Sequence, residues 1–211
     1  MTPQQKKNII DDFNRRYYDS HSETWNNTTW LGVPIHKAPT DMVIYQEIIW
    51  RNRPELIIET GTCHGGSALF MATVLEIIGN GHVITIDLKP RPNLPKHKRI
   101  EYMTGNSADE SLVSKLSEYA LHRKTMVVLD SSHRKTHVDK ELTLFSPLVA
   151  RGQYLIVEDS NINGHPVVPG WGAGPYESIA EFIPNHPEFI IDRTQERFML
   201  TFNPTGYLLK K

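Results

Sequence analysis

Between Leu56 and Val157 the chain repeats one unit, a short apolar run followed by a turn and a stretch of helical spacing. The runs are Leu56-Ile57-Ile58, Val83-Ile84-Thr85-Ile86, Ile100-Glu101-Tyr102-Met103, Met126-Val127-Val128-Leu129 and Tyr154-Leu155-Ile156-Val157. Helical spacing fills Ser67 to Ile78, Ala108 to Ala120 and His137 to Val149. Strands apolar along their whole length need cover on both faces, which a parallel sheet wrapped by helices supplies. After a further helix at Tyr176 to Phe182, the runs Phe189-Ile190-Ile191 and Phe198 to Phe202 are expected to pair as an antiparallel end of the sheet. The predicted fold is therefore α/β, a doubly wound, mostly parallel, seven-stranded sheet of the Rossmann-like kind.

Ahead of this core, Gln4 to Tyr18 has an amphipathic helical period, and Thr40 or Asp41 is placed to cap a helix through Met42 to Ile49 that Pro54 closes. At 211 residues the chain fits one domain, read as an N-terminal helical cap over 1–53 and an α/β core over 54–211. The 23 Lys and Arg nearly cancel the 24 Asp and Glu, so nucleic acid is not expected as a partner. No apolar run approaches the roughly 18 residues of a membrane span, and the single cysteine, Cys63, excludes an internal disulfide framework. A cytoplasmic protein acting on a small molecule is expected.

In open α/β sheets ligands bind where loops leave the C-terminal strand ends. The first such loop is Glu59-Thr60-Gly61-Thr62-Cys63-His64-Gly65-Gly66-Ser67. A dinucleotide fingerprint needs glycine where Cys63 stands, and Glu59 would repel a phosphate but suit a cationic amino group. Asp87 ends the next strand, where a carboxylate can accept ribose hydroxyls, and Asn106-Ser107 follows the third, within reach of an adenine edge. The pattern describes an adenosine-type ligand without phosphates, S-adenosylmethionine (SAM). The residues assigned to it are Glu59, Gly61, Thr62, Gly65, Ser67, Asp87, Asn106, Ser107 and Asp130.

Across the same edge, Asp130-Ser131-Ser132-His133 ends the fourth strand and Glu158-Asp159 the fifth. Three converging carboxylates need a cation between them, and an all-oxygen set suits Mg²⁺, with Mn²⁺, Ca²⁺ or Fe²⁺ as alternatives. Asp130, Glu158 and Asp159 are the expected metal ligands and His133 the expected general base for a hydroxyl acceptor. His137 is expected on the solvated start of the following helix. Taken singly, each feature has a plainer reading as a turn glycine, a helix cap or a surface histidine. Their coincidence at successive strand ends selects the functional one. Asn161 to Gly174, with His165 and Trp171, reads as a loop over the cleft, and Trp30 and Tyr45 as either cleft or core.

These residues resemble the cephalosporin hydroxylase-like family of SAM-dependent methyltransferases, with its macrolide sugar and rhamnosyl O-methyltransferase relatives. The resemblance runs through Trp30-Leu31-Gly32, Tyr45-Gln46-Glu47-Ile48-Ile49, Ile57 to Gly61 with Gly65-Gly66-Ser67-Ala68, Leu129-Asp130-Ser131 with His133, Val157-Glu158-Asp159, Gly172-Ala173-Gly174-Pro175 and Thr201 to Leu208. It implies O-methyl transfer to a hydroxyl of a sugar or natural-product scaffold, by a homo-oligomer. It also implies that Asp130, Glu158 and Asp159 stand where the sugar methyltransferases hold Mg²⁺, and His133 where they carry their base. Two other functions are compatible with the residues: a metal-dependent hydroxylase with His133 among the ligands of Fe²⁺, and a non-catalytic SAM-binding subunit of a biosynthetic assembly.

Overall fold

The computed structural model describes residues 1–89 and 91–211. Five parallel strands form its centre: β3 (Leu56–Thr60), β4 (His82–Asp87), β5 (Ile100–Thr104), β6 (Thr125–Leu129) and β7 (Tyr154–Val157). Two more, β8 (Phe189–Ile191) and β9 (Tyr207–Lys210), complete one side, in the order β5-β4-β3-β6-β7-β9-β8 with β9 antiparallel to both neighbours. A small hairpin, β1 (Thr29–Trp30) with β2 (Val33–Pro34), stands apart.

Strand alternation divides the core into two layers. Ile57, Val83, Met126, Val128 and Ile156 face α2 (Pro39–Asn52) and α3 (Gly66–Ile78). Their neighbours Ile58, Ile84, Val127, Leu129 and Leu155 face the opposite cluster, which α4 (Glu110–Ala120), α5 (Lys135–Phe145) and α6 (Pro175–Phe182) close. The N-terminal helix α1 (Pro3–Asp19) opens on a capping box between Thr2 and Gln5 and ends in Tyr17 and Tyr18, which pack on Phe202. Among the described residues no helix is long and apolar enough to cross a membrane.

Three local expectations change. The last strand is Tyr207–Lys210 rather than Phe198 to Phe202. The latter run cannot stay extended: Met199 has φ 63°, and the Phe202 N–H donates to the Asp41 carboxylate at 2.8 Å instead of to a ladder. Asp41 and Thr40 are not caps. Helix α2 starts at Pro39, so both lie inside its first turn: Thr40 donates to Leu200 O, and Asp41 is buried between Phe202 N and the Tyr207 hydroxyl. Helix α5 starts two residues earlier than expected and gives way to a 3₁₀ turn at Ser146–Leu148, where Pro147 cannot continue it.

Candidate active site

The sheet's order reverses beside β3, whose neighbours β4 and β6 lie on opposite sides, so the loops after β3 and β6 diverge from one crevice. Register places Thr60 opposite Leu129, which sets Gly61 against Asp130. The approach is so close that a Cβ on Gly61 would stand 1.8 Å from the Asp130 carbonyl oxygen, and Gly61 also has φ +88°. Gly65, at φ +77°, turns the chain into α3.

Alternation also decides which carboxylates meet. Glu59 follows Ile57, Asp130 follows Val128 and Glu158 follows Ile156 by two residues, so all three lie on the face covered by α2 and α3. There they encounter Lys37, delivered by the segment between β2 and α2. Its side chain is 4% exposed, and its Nζ lies 2.9 Å from Asp130 Oδ2 and 2.7 Å from Glu158 Oε1. The Tyr45 hydroxyl donates to the same Glu158 oxygen. Burial alone would lower the Lys37 pKa, but Asp130, Glu158 and Glu59 overcome that and hold it well above the ordinary lysine value. Burial pushes the Asp130 carboxyl up against the pull of Lys37, and the Asp159 carboxyl up against that of His133.

Asp159 has the other parity and escapes it through a left-handed backbone, φ 53°, held by Asn203 Oδ1 accepting its N–H. Its carboxylate thereby joins Asp130 and His133, and one ligand atom from each of the three lies within 4.8 Å of the others. His133 Nε2 is 3.4 Å from Asp159 Oδ2. Glu158 lies beside this trio with one oxygen engaged by Lys37 and Tyr45.

Of the residues assigned to a cofactor, Glu59 is fully buried. Its Oε2 accepts from Thr85 Oγ1 at 2.7 Å, while its Oε1 has no hydrogen-bond partner among the described residues. Burial raises its pKa, with Lys37, Ser67 and Thr85 opposing. Thr62 shares a hydroxyl contact with Thr85, and Asp87 accepts the backbone N–H groups of Cys63 and Lys89. Asp87, Asn106 and Ser107 line a small cavity of about 140 Å³ with Gly61 and Ser131. His137 lines it too. Instead of facing solvent, its Nε2 sits 3.1 Å from Ser107 Oγ, above the buried Glu141.

A larger cavity of about 270 Å³ also includes Gly61 and Ser131, and extends past Thr62 and Ser67 to Asp130, His133 and Asp159. Its outer wall is aromatic: Tyr18, Trp25 and Phe202 pack on one another, and Trp171 faces them. Trp171 is fastened by Nε1–H to His133 O and by stacking under Arg134. Trp30 and Tyr45 belong to the core, against Phe70 and Glu158 respectively.

Known proteins share this architecture. The family described as rhamnosyl O-methyltransferase/CmcI matches residues 22–211. A rhamnosyl O-methyltransferase of Mycobacterium leprae (strain TN) is 37% identical over 96% of this chain and 91% of its own. One from Mycobacterium tuberculosis (strain ATCC 25618 / H37Rv) is 36% identical over 96% of this chain and 85% of its own. The chain belongs to the rhamnosyl O-methyltransferase/CmcI family. It is thus an enzyme of the O-methyltransferase class. Two solved CmcI structures share the fold at 20% identity: an apo form (TM-score 0.68, covering 88% of this chain and 76% of that one) and a form with Mg and SAM (TM-score 0.63, 88% and 77%).

Proposed function

We propose that this chain transfers the methyl group of SAM to a hydroxyl of a small metabolite, a sugar or a natural-product scaffold, at a centre that also holds a divalent cation, Mg²⁺ foremost. The observation that carries the reading is the meeting of Asp130, His133 and Asp159 across one crevice from the Gly61 loop. The residues present fit both groups. The buried Glu59 Oε1, unpartnered among the described residues, suits the ammonium of the SAM amino-acid moiety, and the bare Cα of Gly61 lets its loop pass the Asp130 backbone, which brings the two loops to one crevice. Asp87 then receives the ribose hydroxyls, and Asn106 and Ser107 the adenine edge.

Asp130 and Asp159 would hold the cation, with the charge of Glu158 beside them. A bound divalent cation would supply Lewis acidity that lowers the pKa of the acceptor hydroxyl. His133 takes the hydroxyl proton at its imidazole. The aromatic wall of Tyr18, Trp25, Phe202 and Trp171 seats the rest of the acceptor and excludes water. The relatives' name makes a rhamnosyl hydroxyl the first acceptor to try. The lone thiol of Cys63 fits a reducing compartment, the cytoplasm, and the family resemblance carries the expectation of a homo-oligomer.

The test is calorimetric titration with S-adenosylhomocysteine, followed by turnover on a panel of rhamnosides with Mg²⁺ or with EDTA. Binding of the nucleoside and loss of turnover in EDTA are expected. No heat of binding would remove the donor assignment. Binding without turnover on any hydroxylated candidate would indicate a non-catalytic subunit.

A further inference from the structure

Lys37 has no task in the reaction as proposed, yet its buried ammonium joins two carboxylates of the site. Four carboxylates, Glu59, Asp130, Glu158 and Asp159, gather at adjoining strand ends, and Lys37 touches two of them from a buried position. It comes from outside the sheet, between the β1–β2 hairpin and α2, so it closes the cluster from the helical side. Unneutralised, such a cluster would repel itself apart or be forced to take up protons.

We propose that Lys37 is a built-in counter-cation, a positioning residue that keeps Asp130 and Glu158 assembled before any divalent ion arrives. Its ammonium fastens one oxygen of each, and the donor half of the site is thereby ordered without metal. The idea rests on reading Asp130 and Asp159 as cation ligands, and the experiment separates the two. A lysine in this role makes the wild-type fold less sensitive to chelators than a variant without it. Its loss transfers the task of neutralisation to the divalent ion.

The full chain, Lys37→Met and the double variant Lys37→Met/Glu158→Gln are melted in EDTA and in saturating Mg²⁺, and Mn²⁺ affinity is measured by electron paramagnetic resonance. In EDTA, Lys37→Met should melt about 10 °C below wild type, because one partner of a buried pair has been removed. Mg²⁺ should raise its melting point by more than it raises that of wild type. Mn²⁺ should bind it roughly tenfold more tightly, since a repelling charge has gone. The double variant, with cation and one carboxylate removed together, should recover at least half of the melting point lost in EDTA.

Equal melting points of Lys37→Met and wild type in EDTA would overturn the proposal, as would unchanged or weaker Mn²⁺ binding by the variant. If Lys37→Met does not fold in EDTA, the double variant decides, and no recovery by it counts against the lysine. Absence of Mn²⁺ binding by wild type would sink the cation reading alone. The EDTA melting points would still judge Lys37.

Discussion

Gly61 and Asp130 stand so close across β3 and β6 that the glycine's missing Cβ is what lets the two loops pass, a Cβ being placed 1.8 Å from the Asp130 carbonyl oxygen. The obstructing atom is backbone and Gly61 sits at φ +88°, so neither rotamer change nor local relaxation offers relief. Gly61→Ala is expected to cost more than about 2 kcal/mol and to abolish nucleoside binding. Thermal melting with calorimetry checks both, and wild-type affinity in the variant would contradict the close approach.

Glu59 carries a buried oxygen, Oε1, with no partner among the described residues, next to the glycine loop. Glu59→Gln keeps the shape and removes the charge, so SAM affinity should fall roughly ten- to a hundredfold, the worth of a hydrogen bond to a charged group. Stability should hold or rise, because a buried carboxylate has been neutralised. An unchanged dissociation constant would place the SAM ammonium elsewhere.

For His133, the base and ligand roles separate by what is lost. As base, His133→Gln lowers kcat by on the order of 10²- to 10⁴-fold while leaving S-adenosylhomocysteine and Mn²⁺ binding intact. Loss of Mn²⁺ affinity together with activity would make the imidazole a ligand instead.

Asp41 gives a pH signature. Burial, then the charge of Glu158, raises its pKa from 3.8 to about 7 against three hydrogen bonds that favour the ionised form. The folded protein therefore holds a proton that the unfolded chain has released between pH 3.8 and 7, and stability contributed by this group falls as pH rises through that window. The full effect is on the order of 4 kcal/mol. Asp41→Asn has no such titration, so its melting point relative to wild type should improve by several degrees from pH 5 to pH 8. A difference that is flat with pH would refute the raised value. The absolute stability of the variant is a poorer guide, because Asp41 accepts from Phe202 N and Tyr207 at two different oxygens and asparagine keeps only one.

The five parallel strands and the loops at their ends were legible because apolar runs buried on both faces leave an unmistakable pattern, and ligands in such folds gather at one edge. The same alternation predicts that Glu59, Asp130 and Glu158 share a face, an inference available from their spacing to Ile57, Val128 and Ile156. Lys37 gave no signal: a single lysine in a segment without periodicity looks like solvent-facing loop. The left-handed turn at Asp159 was equally hidden, since nothing in an Asp at a strand end announces φ 53°. Phe198 to Phe202 is as apolar as β9, and the left-handed Met199 and the capture of Phe202 N by Asp41 separate the two. The charged neighbours of His137 point to solvent, whereas the first turn of α5 directs it to Ser107.

The insertion of β9 between β7 and β8 bears on the order in which a growing chain becomes competent. A ribosome delivers the N-terminal part first, so the Gly61 loop, Asp130 and His133 can all be in place while β8 still has nothing to pair with. Residues from Phe202 to Lys210 then complete the aromatic wall and supply the partners of Asp41 and the strand that ties the edge down. The half of the cleft that would hold a donor can thus be complete in a nascent chain before Phe202 closes the half that would recognise an acceptor.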